Sequence, residues 1–376
     1  QQTEEVEQEI SALPKQSLVY SAAADFEPEG GLHPPPGPRP IQVLHRGDIK
    51  QPRATADPGA LACITSLPAR FEIDLKGTEG TRRAALARWL TAPSNQLTWR
   101  SIVNRVWHHH FGRGLVSTVN DFGHMGELPS HPELLDWLAA DFRDGTQSLK
   151  QLHRRIVTSD TYRRSVLGRS VEDVPTAAVI DPDNRSLSHM NRTRLDAECI
   201  RDAVLQFSGR LDLRMGGPSD RQFDLQPGIH VTPKVDYSKF DLNSGLGRRR
   251  SIYRFLFRTL PDPFMETLDC PSGDQITPTR TNSVTVQQAL ALWNDAFIAN
   301  HCEHIAARVQ ADLTGDGANS VTAEHQTRKQ VERMVELILG RPGTDQEINE
   351  LSAYTSRHGL ANTCRLLLNS NEFLFV

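Results

Sequence analysis

The sequence has no run of about 18 or more apolar residues, so no segment of it can cross a bilayer as a helix. It has no basic excess: a formal net charge of −4 argues against a general nucleic-acid binder, whose footprint is a surplus of Lys and Arg. Cysteine is sparse and unpatterned. Cys63, Cys199, Cys270, Cys302 and Cys364 include no C-x-x-C and no C-x-x-C-H, so nothing supports covalent haem attachment within the chain. Their odd number leaves at least one thiol unpaired unless it bridges to another chain. Cys199 and Cys364 lie in apolar helical patterns and read as small buried hydrophobes. The sequence also lacks G-x-S-x-G, a Walker A loop and G-x-G-x-x-G, which removes the commonest hydrolase and nucleotide fingerprints. It starts at Gln1 with neither an initiator Met nor a charged-then-apolar leader, and so reads as a piece of a longer precursor.

Lysine is nearly missing as well, occurring only at Lys15, Lys50, Lys76, Lys150, Lys234, Lys239 and Lys329. The remaining basic residues are Arg, the side chain suited to planar, bidentate pairing with carboxylates. Genomic composition alone could produce that bias. The sharper reading is a framework of internal Arg–carboxylate pairs, for instance Arg201 with Asp196 or Asp202. A chain of 376 residues that is 38% hydrophobic and 23% charged can bury a substantial core.

Periodicity predicts a mainly α fold: a multi-helix domain with a few short strands and long loops. Residues 1–40 read as an N-terminal extension, with a short strand at 17–21 and a Pro-rich linker, PEGGLHPPPGPRP. Residues 41–376 read as a single large, mainly helical domain with a candidate subdivision near 210–248, which is rich in Gly, Pro and Asp. Within it, 41–45 alternates like a strand, and helices are predicted over 82–91, 96–111, 132–142, 149–162, 194–207, 284–313, 322–339, 345–357 and 360–369. Asn95 and Ser148 read as N-caps, and Ser130 with Glu133 and Thr344 with Glu347 as capping boxes. The aromatic, β-branched run 250–257 reads as a strand or buried edge.

Special residues crowd between Asn104 and Leu138, where five histidines and two tryptophans fall between two predicted helices. His108, His109 and His110 are consecutive on a helix, about 100° apart, and cannot all ligate one metal. Asp121, His124, Glu127, His131 and Glu133 lie on a Gly-broken loop and the following helix start. Asp121, His124 and His131 are the candidate catalytic set, as a general acid/base group or as ligands of a divalent metal such as Zn, Mn or Ca. Each also has a structural reading: an Asx turn for Asp121, capping for Glu133, packing on Trp107 or Trp137 for His131. Asn104, Arg105 and His109 on the preceding helix, with Arg249 and Arg250, are candidate binding residues. The cluster Arg248 to Arg250 could take an oxyanion, or could simply be salt-bridged. His301 and His304 stand i, i+3, not the i, i+4 spacing of zincins. Asp312 to Gly317 begins like a calcium loop, but its twelfth position is Ala323 and Glu324 falls one residue late.

Ordered matches along the chain carry a resemblance. They are RPIQVLHRGDIKQPRATADPG (39–59), ALARWL (85–90), NRVW-HHHFGRGLV-DFG-G-PSHPELLDWLA, LKQLHRRIVTSDTY (149–162), DPDNR (181–185) and RLDAECIRDAVLQFSG (194–209). Gly216 to Pro218, RRSIYRFLFR (249–258), QQALALWN (287–294), Gly340–Arg341 and LLNSNEFLFV (367–376) continue the series. Together they resemble the planctomycete C-terminal domain of unknown function, family fifteen-fifty-three, commonly found in proteins that also carry a planctomycete-type cytochrome c domain. The resemblance implies an extracytoplasmic location (periplasmic, cell-surface or secreted). It also implies haem only on an associated domain, with no cofactor in this chain beyond a candidate divalent metal. It assigns no activity. Three readings follow: a non-catalytic interaction or scaffold module that docks other domains of the parent protein, a c-type cytochrome among them; a polysaccharide-directed hydrolase with its site at 121–133; and a self-assembling surface or fibre subunit.

Overall fold

The computed structural model describes residues 40–74, 77–166, 179–227, 233–257, 259–313 and 322–376. The expected strand at 17–21, the Pro-rich linker and most of the Asp312–Gly317 loop lie outside them. The chain is mainly α, with twelve α-helices and two small two-stranded sheets among the described residues. It divides into two compact units, one from Gln1–Val103 and Glu133–Ser148, the other from Asn104–Pro132 and Leu149–Val376.

In the first unit, β1 (Gln42–His45) pairs antiparallel with β2 (Asp48–Thr55), joined by the two-residue turn Arg46–Gly47. Helix α1 (Glu79–Leu90) buries Ala85 and Trp89, one turn apart on one face. Helix α2 (Gln96–Phe111) contributes its residues up to Val103. Asn95 precedes it, but its amide donates to the Trp89 carbonyl at 3.1 Å and its Oδ1 has no partner, so it closes the preceding turn instead of capping α2. Helix α3 (Pro132–Asp144) buries Leu135, Leu138 and Ala139, and its Phe142 meets Trp99 at 6.3 Å between ring centroids.

In the second unit, α4 (Leu149–Val157) stops before the expected Tyr162. Helix α5 (Ala197–Phe207) buries Ile200, Arg201, Val204 and Leu205, while Cys199 points outward and is exposed, contrary to its apolar context. The short strands β3 (Asp224–Gln226) and β4 (Lys234–Asp236) pair antiparallel. Helices α6 (Pro263–Thr267), α7 (Val286–Asn294), α8 (Ala296–Leu313), α9 (Ala323–Leu339), α10 (Asp345–His358), α11 (Leu360–Leu368) and α12 (Asn371–Leu374) complete it. Helices α8 to α11 pack on one another around Ile298, Ile305, Met334, Ile348 and Leu368. Thr344 and Glu347 form the expected capping box, and Thr285 with Gln288 forms another that the sequence reading missed. The continuous helix expected over 284–313 breaks at Asp295, which is extended (φ −62°, ψ 140°) between α7 and α8.

The strand expected over 250–257 is instead a 3₁₀ turn, Ser251–Tyr253, flanked by single bridges from Asp212 to Arg249 and from Asp220 to Arg254. Besides these bridges, side chains of α5 satisfy part of its backbone. Arg201 donates to the Arg249 and Gly247 carbonyls, and Asp202 accepts the Ser251 N–H.

Candidate functional site: the Asn104–Ser130 loop

The candidate residues after α2 are organised by one buried amide. Asn104, 0% exposed, donates from Nδ2 to the Val116 carbonyl at 2.9 Å and accepts the Val116 N–H on Oδ1 at 2.9 Å. Gly114 lies against this clamp, since a Cβ there would sit 2.4 Å from the Val116 oxygen and within 3 Å of the Asn104 amide. Asn104 therefore positions the loop. Arg105 is exposed and reaches Asn120 Oδ1 at 2.5 Å.

The consecutive histidines separate as the helical period requires. His108 is half-buried, and burial followed by the neighbouring His109 holds its pKa below the ordinary imidazole value against the opposing pull of Asp196. His109 is exposed. His110 Nε2 meets His153 Nδ1 at 2.7 Å, and burial, then His153 and His109, lowers its pKa too.

Downstream, polar groups close the loop on itself. Asp121 Oδ1 accepts the Gly123 N–H at 2.8 Å, an Asx turn. Thr118 Oγ1 donates to the Asp121 carbonyl at 2.8 Å and accepts the Glu127 N–H at 3.0 Å. Gly126 is required at the closure, because a Cβ would lie 2.1 Å from the Asp121 oxygen. Glu127 stands 3.6 Å from Arg113, and its carboxyl is held below its usual range by a Ser117 hydrogen bond first, then by Arg113 and Arg185. His124 is exposed at the tip, and His131 Nδ1 meets Ser130 Oγ at 3.0 Å, with α3 starting at Pro132. The structure thus gives Asp121, His124 and His131 separate surroundings. Among the described residues no three His, Cys, Asp or Glu side chains converge on a position that could hold a metal ion. The pocket beside the loop, between Trp107, Arg113, Glu127, Ser130, Asn184 and Arg185, measures about 20 Å³. That volume is about the size of a single water site.

The DPDNR segment serves the same construction. Asp181 accepts the Arg185 and Ser186 N–H groups at 2.9 and 2.7 Å. Asn184 Nδ2 donates to Asn191 Oδ1 at 2.8 Å, and Asn191 donates to the Phe111 carbonyl at the end of α2.

Arg249 and Arg250 differ from the binding pair expected of them. Arg249 is buried, donates to the Pro218 and Gly216 carbonyls at 2.9 and 2.5 Å, and lies 3.9 Å over the Tyr253 ring. Arg250 is exposed, 4.0 Å from Asp202. They belong to the Arg–carboxylate framework: Arg201 with Asp202 at 3.6 Å, Arg249 with Asp220 at 3.4 Å, Arg254 with Asp262 at 2.5 Å and Arg194 with Asp269 at 2.8 Å. Asp196 pairs with Arg280, not Arg201, and Glu198 takes Arg280 in a two-bond fork. Sequence reading missed Arg194, which donates to the Leu268 carbonyl and Gln288 Oε1 as well as to Asp269. His301 is buried, and its neighbour His304 meets Arg210 and Asn243 at 2.9 and 3.0 Å.

Over residues 82–355 the chain matches the family described as PSD1, Protein of unknown function (DUF1553). The chain belongs to that family. No curated protein and no solved structure matches it. The matched range contains the loop, the DPDNR segment and the Arg framework. Among the described residues no helix is long and apolar enough to cross a membrane.

Proposed function

We propose that this DUF1553 chain is a non-catalytic interaction module of a larger extracytoplasmic protein, docking other domains of its parent, a c-type cytochrome domain among them, through the 121–129 loop. One observation carries the reading. Thr118 and Asp121 close the loop through their hydrogen bonds, while Met125 and Leu128 stand 90% and 85% exposed on it. Large apolar side chains on a braced loop suit a contact surface better than a reaction site.

The test is cross-linking mass spectrometry and co-purification with the haem-bearing part of the parent protein, comparing the native chain with Met125→Asp/Leu128→Asp. The expected result is lost association with an unchanged melting profile. Association that survives the double substitution removes this loop as the docking surface, and hydrolysis of neutral or sulfated glycans that depends on Asp121 would replace the reading with an enzyme.

A further inference from the structure

A second feature lies away from that loop, inside the Leu149–Val376 part of the chain. Between α5, α6 and the start of α8 is a cavity of about 300 Å³, at the lower end of the range for small-molecule sites. Its apolar walls include Phe240, Leu242, Phe264 and Phe297, the last two with ring centroids 5.6 Å apart. Three charged side chains, Arg201, Asp262 and Asp295, also line it.

Two of the three are already compensated. Asp262 caps α6, with Oδ1 accepting the Phe264 and Met265 N–H groups and Oδ2 taking Arg254 at 2.5 Å. Arg201 donates to the Gly247 and Arg249 carbonyls and Ser251 Oγ, pairs with Asp202, and lies 5.5 Å from the Phe297 centroid. The Tyr237 hydroxyl is committed to the Leu260 carbonyl at 2.7 Å. Asp295 differs: its Oδ1 accepts the Phe297 N–H at 2.8 Å, and it has no ion-pair partner among the described residues. Burial first, then Asp262, pushes its carboxyl above the usual range, against that single backbone bond. A partly desolvated carboxylate at the edge of an aromatic chamber is stabilised by a cation brought to it, and the aromatic faces add to that attraction.

We propose that this cavity is a binding site for a small organic cation, a primary ammonium group on an apolar or aromatic body, with Asp295 as its counter-ion. The ammonium replaces the missing partner of Asp295, and the body fills the space against Phe264 and Leu242. The site is separate from the Met125–Leu128 surface, so either assignment can fail without the other.

Calorimetry on the whole chain with 2-phenylethylamine, its neutral counterpart 2-phenylethanol and anionic phenylacetate reads this directly. The amine should bind at least about tenfold more tightly than the alcohol, and phenylacetate most weakly. Asp295→Asn keeps an oxygen for the Phe297 N–H, so the start of α8 survives and only the charge is lost; the preference for amine should vanish. Leu242→Trp, which fills the chamber from a half-buried position, should abolish binding of all three. Equal binding of amine and alcohol by the native chain, a preference that persists in Asp295→Asn, or no binding of the amine at about 10 mM each overturns the proposal.

Discussion

Asn104 and Val116 hold each other by two hydrogen bonds of 2.9 Å, one in each direction, so a single side chain mimics a strand partner for a residue twelve positions along. The pairing is buried and uses donor and acceptor together. It fixes where the chain leaves α2 and therefore where Asp121, His124 and Glu127 are presented.

Asn104→Asp keeps the acceptor for the Val116 N–H but turns a second oxygen toward the Val116 carbonyl. Urea unfolding should show a loss of roughly 2–3 kcal/mol, the cost of an unsatisfied buried acceptor with added repulsion. A change below about 0.5 kcal/mol, the level expected of a surface substitution, would mean the clamp contributes nothing to the fold.

Arg201→Lys retains the charge but cannot reach the Gly247 and Arg249 carbonyls and Ser251 together. A loss of about 3 kcal/mol is expected, as for other broken buried pairs. The exposed Arg250→Lys should stay within about 0.5 kcal/mol of the native chain. If the two variants unfold alike, the framework is not what holds residues 247–251 in their turn.

Acid should weaken the fold through His301. Burial first, then His304 and nearby arginines, lowers its pKa to about 3 from 6.5. The unfolded chain then binds the proton and the folded one does not, so stability is complete above about pH 6.5 and falls as pH drops toward 3, with a slope approaching 1.4 kcal/mol per pH unit. Ser208 donates its hydroxyl to the Leu205 carbonyl, which leaves its oxygen to accept from His301 Nδ1–H at 3.2 Å. Denaturant titrations from pH 7.5 to 4.5 should therefore show a smaller pH slope in His301→Gln than in the native chain. Parallel slopes would assign the acid sensitivity to other groups.

Metal content distinguishes the loop reading from a metalloenzyme. Elemental analysis of protein purified without a His-tag should give the same metal content for the native chain, Asp121→Ala and His131→Ala, because these side chains occupy separate surroundings. His124→Ala, at an exposed tip, should shift stability by less than about 0.5 kcal/mol. A stoichiometric metal that disappears with Asp121 or His131 would favour the metal-site reading of these residues over the interaction module.

What the sequence determined by itself is local. The mainly α class, the limits of Gln96–Phe111, the cap at Thr344 and the splaying of His108, His109 and His110 all follow from signals within about four residues, the reach of a helical turn. The Arg-for-Lys bias is compatible with an internal framework or with genomic composition alone, and of the two partners it suggests for Arg201, Asp202 pairs with it and Asp196 does not. Tertiary structure decided the partners. Arg194 joins Gln288 across 94 positions, Asp196 goes to Arg280, and the chain turns at Ser251 where Arg201 takes the Gly247 and Arg249 carbonyls and Asp202 accepts the Ser251 N–H. No periodicity encodes such pairings, since a hydrogen bond between distant residues depends on where the chain returns. The polar loop shows the same limit: its residue types suit catalysis as well as closure, and only the fold places the Asp121 carboxylate on the Gly123 N–H and Thr118 between Asp121 and Glu127.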